Sequence, residues 1–331
     1  MENNFRGIRQ MISNTPLIEI GLKYKGKPMK VYAKAEYYNL SGSIKDRVAY
    51  YILKKAYETG SIHKGDTIVE ATSGNTGIAF SAMAAYLGHP MVVYMPDWMS
   101  EERIKIMQSY GAKVELVSHE EGGFLGSVAK SEKLAENDGV FLPGQFSNPD
   151  NVSAHICDTG TETLRQLEKF GAMPECVVAG VGTGGTIMGL AKSFKTANPE
   201  CMARPLEPLN SPTLSTGYKT GVHKIAGISD EFIPSICKLD ELDSIVSVDD
   251  IDSIIMAQRL CRELGIGVGI SSGANLIGAV KTLDEYPLNS CVTVFADDNK
   301  KYLSTDYAKS FEPKESYISS YIEFTSVNVI R

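Results

Sequence analysis

Three short turns in this sequence contain the residue types that could do chemistry. The first, VGTGGT, runs from Val181 to Thr186, directly after a β-branched run and before a helical stretch. Small residues there leave backbone N–H groups and a helix N-terminus free to surround a phosphate. The turn lacks the lysine of a Walker A loop and the spacing G-x-G-x-x-G of a dinucleotide site. Taken alone, the pattern fits a phosphate site and an empty strand–helix turn about equally well.

The second turn, TSGNTG, runs from Thr72 to Gly77 and again joins a strand-like run to a helical one. Four of its six side chains can form hydrogen bonds, and its backbone N–H groups add further donors. A carboxylate accepts several donors at once, so the turn suits one. Ser, Thr and Asn also cap helices well, and the turn by itself favours this simpler interpretation.

The third turn, NLSGSIKDR, spans Asn39 to Arg47 and places Lys45 where a helix should begin. The positive end of the helix dipole favours the neutral form of a nearby amine. A neutral amine can form a Schiff base and can act as a base. A solvated lysine in a charged first helical turn is the more common occurrence of such a pattern.

Alternating strands and helices must position these turns. β-Branched runs typical of buried strands occur at 67–69, 91–94, 114–117, 176–179 and 292–295. Helical stretches, most of them followed by a glycine suited to a helix C-terminus, occur at 46–57, 76–86, 101–110, 152–170, 186–194 and 251–264. The alternation predicts an α/β fold with parallel sheets.

Composition excludes several classes of protein. The 331 residues are enough for two cores, and 43% apolar with 22% charged residues is typical of a soluble protein. A net charge of −7 gives no support for a nucleic-acid or membrane-surface partner. The N-terminus lacks the apolar segment of a signal peptide, and the sequence has no run long enough to span a membrane, so we expect a cytoplasmic protein.

The six cysteines do not suggest a metal or disulfide site. They lie far apart, without a C-x-x-C pair, at Cys157, Cys176, Cys201, Cys237, Cys261 and Cys291. We therefore expect reduced thiols, most of them in the core, and no metal.

Taken together, the motifs resemble those of one enzyme family. Their order and spacing are similar to the fold-type II pyridoxal-phosphate enzymes, in the branch of cysteine synthase and cystathionine β-synthase. The resemblance covers roughly residues 5 to 305. The matching motifs are NTPL (14–17), SGSIKDR (41–47), TSGNTG (72–77), GQFSNP (144–149), GTGGT (182–186), ISSG (270–273) and YLST (302–305).

The resemblance implies a role for each motif. Lys45 would bind pyridoxal 5′-phosphate as a Schiff base and later move the Cα proton of the substrate. Asn75 would lie at the 3′-oxygen of the cofactor, and Ser271 or Ser272 at its pyridine nitrogen, a choice that the sequence leaves open. The phosphate would be held by Gly182, Thr183, Gly184, Gly185 and Thr186. The carboxylate of a small amino-acid substrate would be held by Thr72, Ser73, Thr76 and Gln145.

The resemblance also implies an architecture and a reaction type. Two parallel-sheet α/β domains would hold the cofactor in the cleft between them, and the protein would form a homodimer. We assign residues 1–40 and 146–310 to a larger cofactor-binding domain and 41–145 to a smaller mobile substrate domain. Residues 311–331, which lose the strand–helix rhythm, would form a C-terminal arm. The chemistry would be loss of a β-substituent to give an α-aminoacrylate, followed by attack of a nucleophile on the β-carbon.

The main departure from the family lies in the loop GISDEFIP, Gly227 to Pro234. Cysteine synthases have G-I-G-A-G-F-I-P here, over the cofactor, so this chain replaces two small residues with Asp230 and Glu231. Of the two acids, we expect Asp230 to face the pocket, because neighbours in an extended loop point in opposite directions. A local turn cap is the simpler alternative. Asp298, in another divergent segment, receives no role.

An acid in this pocket favours water as the nucleophile. The leading hypothesis is therefore a cysteine hydroxyl-lyase, which releases hydrogen sulfide from L-cysteine and adds water to give L-serine. The alternatives within the family are O-acetylserine sulfhydrylase (cysteine synthase) and enzymes that form cystathionine or lanthionine. A catalytically inactive binding protein on the same fold is the alternative from another class.

Overall fold

A computed structural model describes the backbone of residues 2–331 and the side chains from Phe5 onward. Two sheets organise the chain. The larger sheet has seven strands in the order β11-β1-β2-β10-β7-β8-β9, and the smaller has four in the order β5-β4-β3-β6. The strands are β1 (Leu17–Tyr24), β2 (Lys27–Ala35), β3 (Thr67–Ala71), β4 (Met91–Pro96), β5 (Lys113–Val117), β6 (Val140–Phe141), β7 (Cys176–Gly180), β8 (Met202–Pro208), β9 (Val246–Val248), β10 (Cys291–Phe295) and β11 (Ile322–Ile330).

The smaller sheet is parallel throughout, and the larger one is parallel except at one edge. Strands β2, β10, β7, β8 and β9 run in the same direction. Strand β1 is antiparallel to β2 on one side and to β11 on the other. The family-based expectation of two α/β domains with parallel sheets is thus confirmed, with an antiparallel edge added by both ends of the chain.

Residues 311–331 were expected to form an arm, and the structure places their second half in the larger sheet. Ile322–Ile330 pairs along the whole of β1, from Tyr24 opposite Ile322 to Leu17 opposite Ile330. Most residues of this strand are exposed, which is usual for an edge strand. The division of the chain into a larger and a smaller domain remains a prediction.

Eleven α-helices are present in residues 2–331. They are α1 (Glu2–Ile8), α2 (Lys45–Thr59), α3 (Asn75–Leu87), α4 (Glu101–Ser109), α5 (Gly123–Ala135), α6 (Asp150–Ala154), α7 (Thr161–Lys169), α8 (Gly185–Ala197), α9 (Thr213–Thr216), α10 (Asp250–Leu264) and α11 (Ile270–Glu285). Gly60, Gly88 and Gly265 end three of them in the left-handed conformation, at φ 72°, 82° and 70°. These helix ends confirm the glycine signals of the sequence.

The predicted helical stretch from Val152 to Phe170 is present, but its middle is not α-helical. The segment His155–Gly160 forms one π-helical stretch between α6 and α7. It packs tightly on α8: a Cβ atom at Gly160 would lie 2.2 Å from Ser193 Oγ, and one at Gly189 would lie 2.4 Å from His155 Cβ. A π-turn widens the helix by one residue per turn, and such turns are frequent at functional sites.

The core is divided among three apolar clusters. Two of them cover the two faces of the larger sheet, and the third lies between α2, α3 and the smaller sheet. The six cysteines are free thiols, and four are buried, as expected. Within residues 2–331, none of the helices is long and apolar enough to cross a membrane.

Candidate active site

A cavity collects nearly all the residues that the sequence singled out. Its lining includes Lys45, Asp230, the turn 72–76, Gln145, and residues 182–184 and 186 of the glycine turn. The lining also distinguishes the two serines of the ISSG motif. Ser271 faces the cavity, whereas Ser272 is fully buried and its Oγ accepts a hydrogen bond from Ala296 N at 3.1 Å.

Lys45 is the first residue of α2 and lies where the two sheets approach each other. The preceding Ile44 N–H donates to Ala296 O at 2.9 Å, which ties the lysine loop to the residue after β10. Burial lowers the pKa of the Lys45 ammonium, and only the carboxylates of Asp230 and Asp297 oppose that shift. A larger share of neutral amine is therefore present at neutral pH than an exposed lysine would have.

The TSGNTG turn presents its polar groups to the cavity. The N-cap residue of α3 is Gly74, which has no side chain to cap the helix, so the capping interpretation of this turn is wrong at that position. Thr76 Oγ1 instead donates to Gln145 Oε1 at 2.6 Å, and Gln145 Nε2 donates to Ala71 O at 2.7 Å. Thr76 and Gln145 thus form one polar wall of the cavity.

Glu70 supports that wall from behind. Its carboxyl group is buried and accepts from Ala71 N at 3.0 Å and from Gln145 N at 3.2 Å. Burial raises its pKa to about 8, more than the backbone donors lower it. Glu70 was not predicted from the sequence, because an acid within a strand usually faces solvent.

The glycine turn between β7 and α8 packs too closely on neighbouring atoms to admit a side chain at two of its positions. Gly184 has φ 85° and is the N-cap of α8. A Cβ atom at Gly182 would lie 2.4 Å from Gly227 O, and one at Gly185 would lie 2.0 Å from Asn151 Oδ1. Gly182, Thr183, Gly184 and Thr186 line the cavity at the start of a 13-residue helix, and so the turn fits a phosphate group.

His155 lies next to Thr186, the last residue of this turn. It is fully buried, with Nδ1 at 3.0 Å from Thr159 Oγ1 and Nε2 at 3.4 Å from Thr186 Oγ1. Burial lowers the pKa of the imidazole to about 3, so the ring is neutral at physiological pH. The sequence offered one usable signal for this residue, namely a histidine beside the GQFSNP motif.

Arg103 is a second residue that sequence reasoning missed. Its side chain is buried over Gly74, and its guanidinium lies 5.0 Å from the centre of the Tyr302 ring. It lines the cavity and also a neighbouring one that leads outward past Trp98 and Lys219. It lies on α4, outside every motif, so the pattern analysis could not find it.

The loop that contains Asp230 is fixed to the glycine turn. Ser229 adopts the left-handed conformation at φ 55°, and its N–H donates to Val181 O at 2.7 Å. Its Oγ donates to Ser211 O and bonds Thr213 Oγ1, both at 3.0 Å. The Asp230 carboxylate lines both cavities, and burial raises its pKa to about 6 although Lys45 and Lys219 oppose this.

Glu231 does not share this position. Its carboxylate forms an ion pair with Lys219 at 3.3 Å and lines only the outer of the two cavities. Both acids thus line the outer cavity, and of the two only Asp230 also lines the inner one.

Comparison with known proteins identifies the class. The family model "Pyridoxal-phosphate dependent enzyme" matches residues 8–297, and the chain belongs to this family. Within it, the chain is similar to the cysteine synthase of Staphylococcus aureus (strain N315), at 40% identity over 299 residues that cover 90% of this chain and 95% of that protein. The protein is thus a pyridoxal-phosphate enzyme of the cysteine synthase branch, acting at the β-carbon of an amino acid.

Two solved structures are informative. A hydrogen sulfide-producing enzyme from Fusobacterium nucleatum has 52% identity and a TM-score of 0.97, with 100% of both chains covered. An O-ureido-L-serine synthase has 33% identity and a TM-score of 0.85, with 93% of this chain and 96% of that chain covered. The same fold thus occurs in an enzyme that produces hydrogen sulfide and in one that synthesises O-ureido-L-serine.

Proposed function

We propose that this enzyme removes hydrogen sulfide from L-cysteine and adds water to the β-carbon to give L-serine. The observation that carries the proposal is the Asp230 carboxylate, which lines the same cavity as the Lys45 amine and perturbs its pKa. Cysteine synthases have a small residue at the equivalent place in the loop, so this acid is a specific addition to the pocket.

The cavity fits the cofactor of the family. Lys45 would hold pyridoxal 5′-phosphate covalently, the turn 182–186 would hold its phosphate, and Asn75 and Ser271 would contact its ring. When bound, the cofactor supplies an electron sink that makes loss of the Cα proton and of the β-substituent possible. The glycine turn, the helix N-terminus and the amine of lowered pKa are each what such a group requires.

The residues around the cofactor site have distinct tasks. Thr72, Ser73, Thr76 and Gln145 would bind the substrate carboxylate and orient the Cα–H bond toward Lys45. Lys45, as the neutral amine, would take the Cα proton, and the sulfur would leave as hydrosulfide with the electrons of the broken Cβ–S bond.

Asp230 would act in the second half of the reaction. Water is a poor nucleophile unless a base removes its proton, and a positioned carboxylate contributes about 10²–10⁴-fold through general-base catalysis. The same negative charge disfavours return of the hydrosulfide anion to the closed cavity. Both effects favour serine over addition of a thiol. Glu231 is the weaker candidate because its charge is paired with Lys219.

The solved relatives support this choice within the family. The relative with 52% identity is a hydrogen sulfide-producing enzyme, whereas the cysteine synthases match at 40%. A variant of that Fusobacterium nucleatum enzyme with one aspartate replaced by asparagine was crystallised with an α-aminoacrylate intermediate. An α-aminoacrylate held by a variant that lacks one aspartate supports the task proposed for Asp230, which is to activate water after the β-substituent has left.

The experiment that tests the function is incubation of the holoenzyme with L-cysteine alone, followed by identification of every product. Sulfide and L-serine should form in equal amounts. Lanthionine as the main amino acid would indicate thiol addition instead. A parallel reaction with O-acetylserine and sulfide tests cysteine synthase activity. No turnover in either reaction would contradict both of these substrate assignments. We also propose that the protein is a homodimer. Light scattering, which measures the molecular mass in solution, tests this oligomeric state directly.

A further inference from the structure

Asn75 lies in a small polar cluster at the junction of three segments. Its Nδ2 donates to Asp297 Oδ2 at 2.8 Å, and its Oδ1 accepts from Lys301 Nζ at 3.0 Å. Lys301 also donates to Gly42 O at 3.0 Å, in the loop that leads to Lys45. Tyr302 OH donates to Asp297 Oδ2 at 2.6 Å. The cluster thus joins the start of α3 and the lysine loop to the segment after β10.

The chemistry of these partners fixes the orientation of the amide. An ammonium group can only donate, so Lys301 must face the oxygen of Asn75. A carboxylate accepts, so Asp297 must face the nitrogen. The amide oxygen and the amide nitrogen therefore face charged groups of opposite sign. A rotation of the Asn75 amide by half a turn about its Cβ–Cγ bond would lose both contacts.

Burial makes these contacts costly to break. Lys301 is 4% exposed and Asp297 is 1% exposed. A buried charged group that loses its partner is destabilised more than the bond itself contributes. The neighbouring Lys300 is the opposite case, since its side chain is 82% exposed and its nearest acid, Asp298, is 3.9 Å away.

We propose that Lys301 and Asp297 are positioning residues that hold Asn75 with its amide nitrogen toward the cofactor ring. The nitrogen carries two hydrogens and Asp297 uses one, so the second can be donated into the cavity that Asn75 lines. A reversed amide would present its oxygen there, and an acceptor would repel an anionic ring oxygen. The inference rests on the proposed placement of Asn75 beside the cofactor and not on the choice of substrate.

The test measures cofactor binding and therefore does not depend on turnover. The dissociation constant of pyridoxal 5′-phosphate is obtained by diluting the holoenzyme and following its visible absorbance. Lys301→Met, which has a similar shape but no donor, should bind the cofactor about tenfold more weakly and shift the absorbance maximum. Lys300→Met should match the parent, and Lys301→Arg should stay within about twofold because it retains a donor.

A double-mutant cycle with Asn75→Ala separates positioning from a general loss of structure. In the Asn75→Ala background, Lys301→Met should weaken binding by less than about twofold. If the factors by which the two single substitutions weaken cofactor binding multiply in the double variant, the proposal is overturned. It is also overturned if Lys301→Met and Lys300→Met bind the cofactor equally tightly. If Lys301→Met does not fold, Lys301→Leu, which is shorter and also lacks a donor, takes its place in the same cycle with the same criteria.

Discussion

The N–H of Ser229 donates to the carbonyl oxygen of Val181 at 2.7 Å, so the loop that contains Asp230 is attached to the turn that fits a phosphate. Ser229 adopts φ 55°, a conformation that costs a non-glycine residue about 1–2 kcal/mol. The two contacts of its hydroxyl offset this cost. The position of the proposed base is therefore set relative to the cofactor site by backbone as well as by side chains.

Replacement of Ser229 should separate these effects. Ser229→Ala loses both hydroxyl contacts and keeps the unfavourable φ, so its free energy of unfolding should fall by about 1–2 kcal/mol. Ser229→Gly loses the same contacts but relieves the backbone, and should be about 1 kcal/mol more stable than the alanine variant. Urea unfolding of both variants measures the difference. An alanine variant as stable as the glycine one would show that the φ value carries no strain.

Substrate binding should depend on Thr76 without affecting the cofactor. Thr76→Ala removes the hydroxyl that donates to Gln145 and lines the cavity. Cysteine should bind about tenfold more weakly, as expected for loss of a hydrogen bond to a charged group, while the visible absorbance of the resting enzyme stays unchanged. Spectral titration with cysteine measures both. Unchanged affinity would place the carboxylate contacts elsewhere.

Stability should depend strongly on Arg47, which follows Lys45 by two residues. Its fully buried guanidinium bonds Glu36 at 2.6 Å and Glu162 at 3.1 Å. Arg47→Met removes the charged hydrogen bonds of Glu36 and leaves Glu162 with Lys34 as its remaining ion pair, and it should lower the free energy of unfolding by about 3–5 kcal/mol at pH 7. Lys54→Met, at an exposed site of the same helix, is the matched control.

The deficit of the Arg47→Met variant should also vary with pH. Burial raises the pKa of Glu162, but Arg47 and Lys34 outweigh it and hold the value at about 2, below the usual 4.5. A carboxyl group of depressed pKa contributes stability above about pH 4.5 that is lost as the pH falls toward 2. The deficit measured by urea unfolding should therefore be smaller at pH 3.5 than at pH 7. An equal deficit at both values would mean that packing, and not charge, is the cause.

Much of the fold follows from local signals. Glycines after the helices and β-branched runs predict most of the parallel strands and helix ends, because these features depend on nearby residues. The hairpin β1–β2 and the edge strand β11 were not predicted. Strand β11 pairs with β1 from about 300 residues away in the sequence, and its mostly exposed residues lack a continuous apolar run.

The site was predicted less evenly. Motif residues on turns, such as Thr76 and Gly182, were found because their type and spacing are unusual. Arg103, His155 and Lys301 were not, because each acts through a partner that lies far away in the sequence. Only the packing of one element on another brings such pairs together.

The rate of serine formation should depend on the ionisation of Asp230. Burial raises the pKa of its carboxyl group to about 6. The group is a base only when ionised, so the rate of serine formation should rise as the pH increases through about 6. At higher pH, where Asp230 is fully ionised, its contribution to the rate should be constant. Steady-state serine production between pH 5 and 8 measures this profile. The Asp230→Asn variant should lack the inflection.

The most direct test of the central claim is the product balance of Asp230→Asn compared with Glu231→Gln, a neighbouring acid replaced in the same way. With L-cysteine, Asp230→Asn should release about one sulfide per active site rapidly and then make serine about 10²–10⁴-fold more slowly than the parent. Glu231→Gln should make sulfide and serine at close to the parent rate. Serine production by Asp230→Asn at the parent rate would contradict the account, and so would a loss confined to Glu231→Gln.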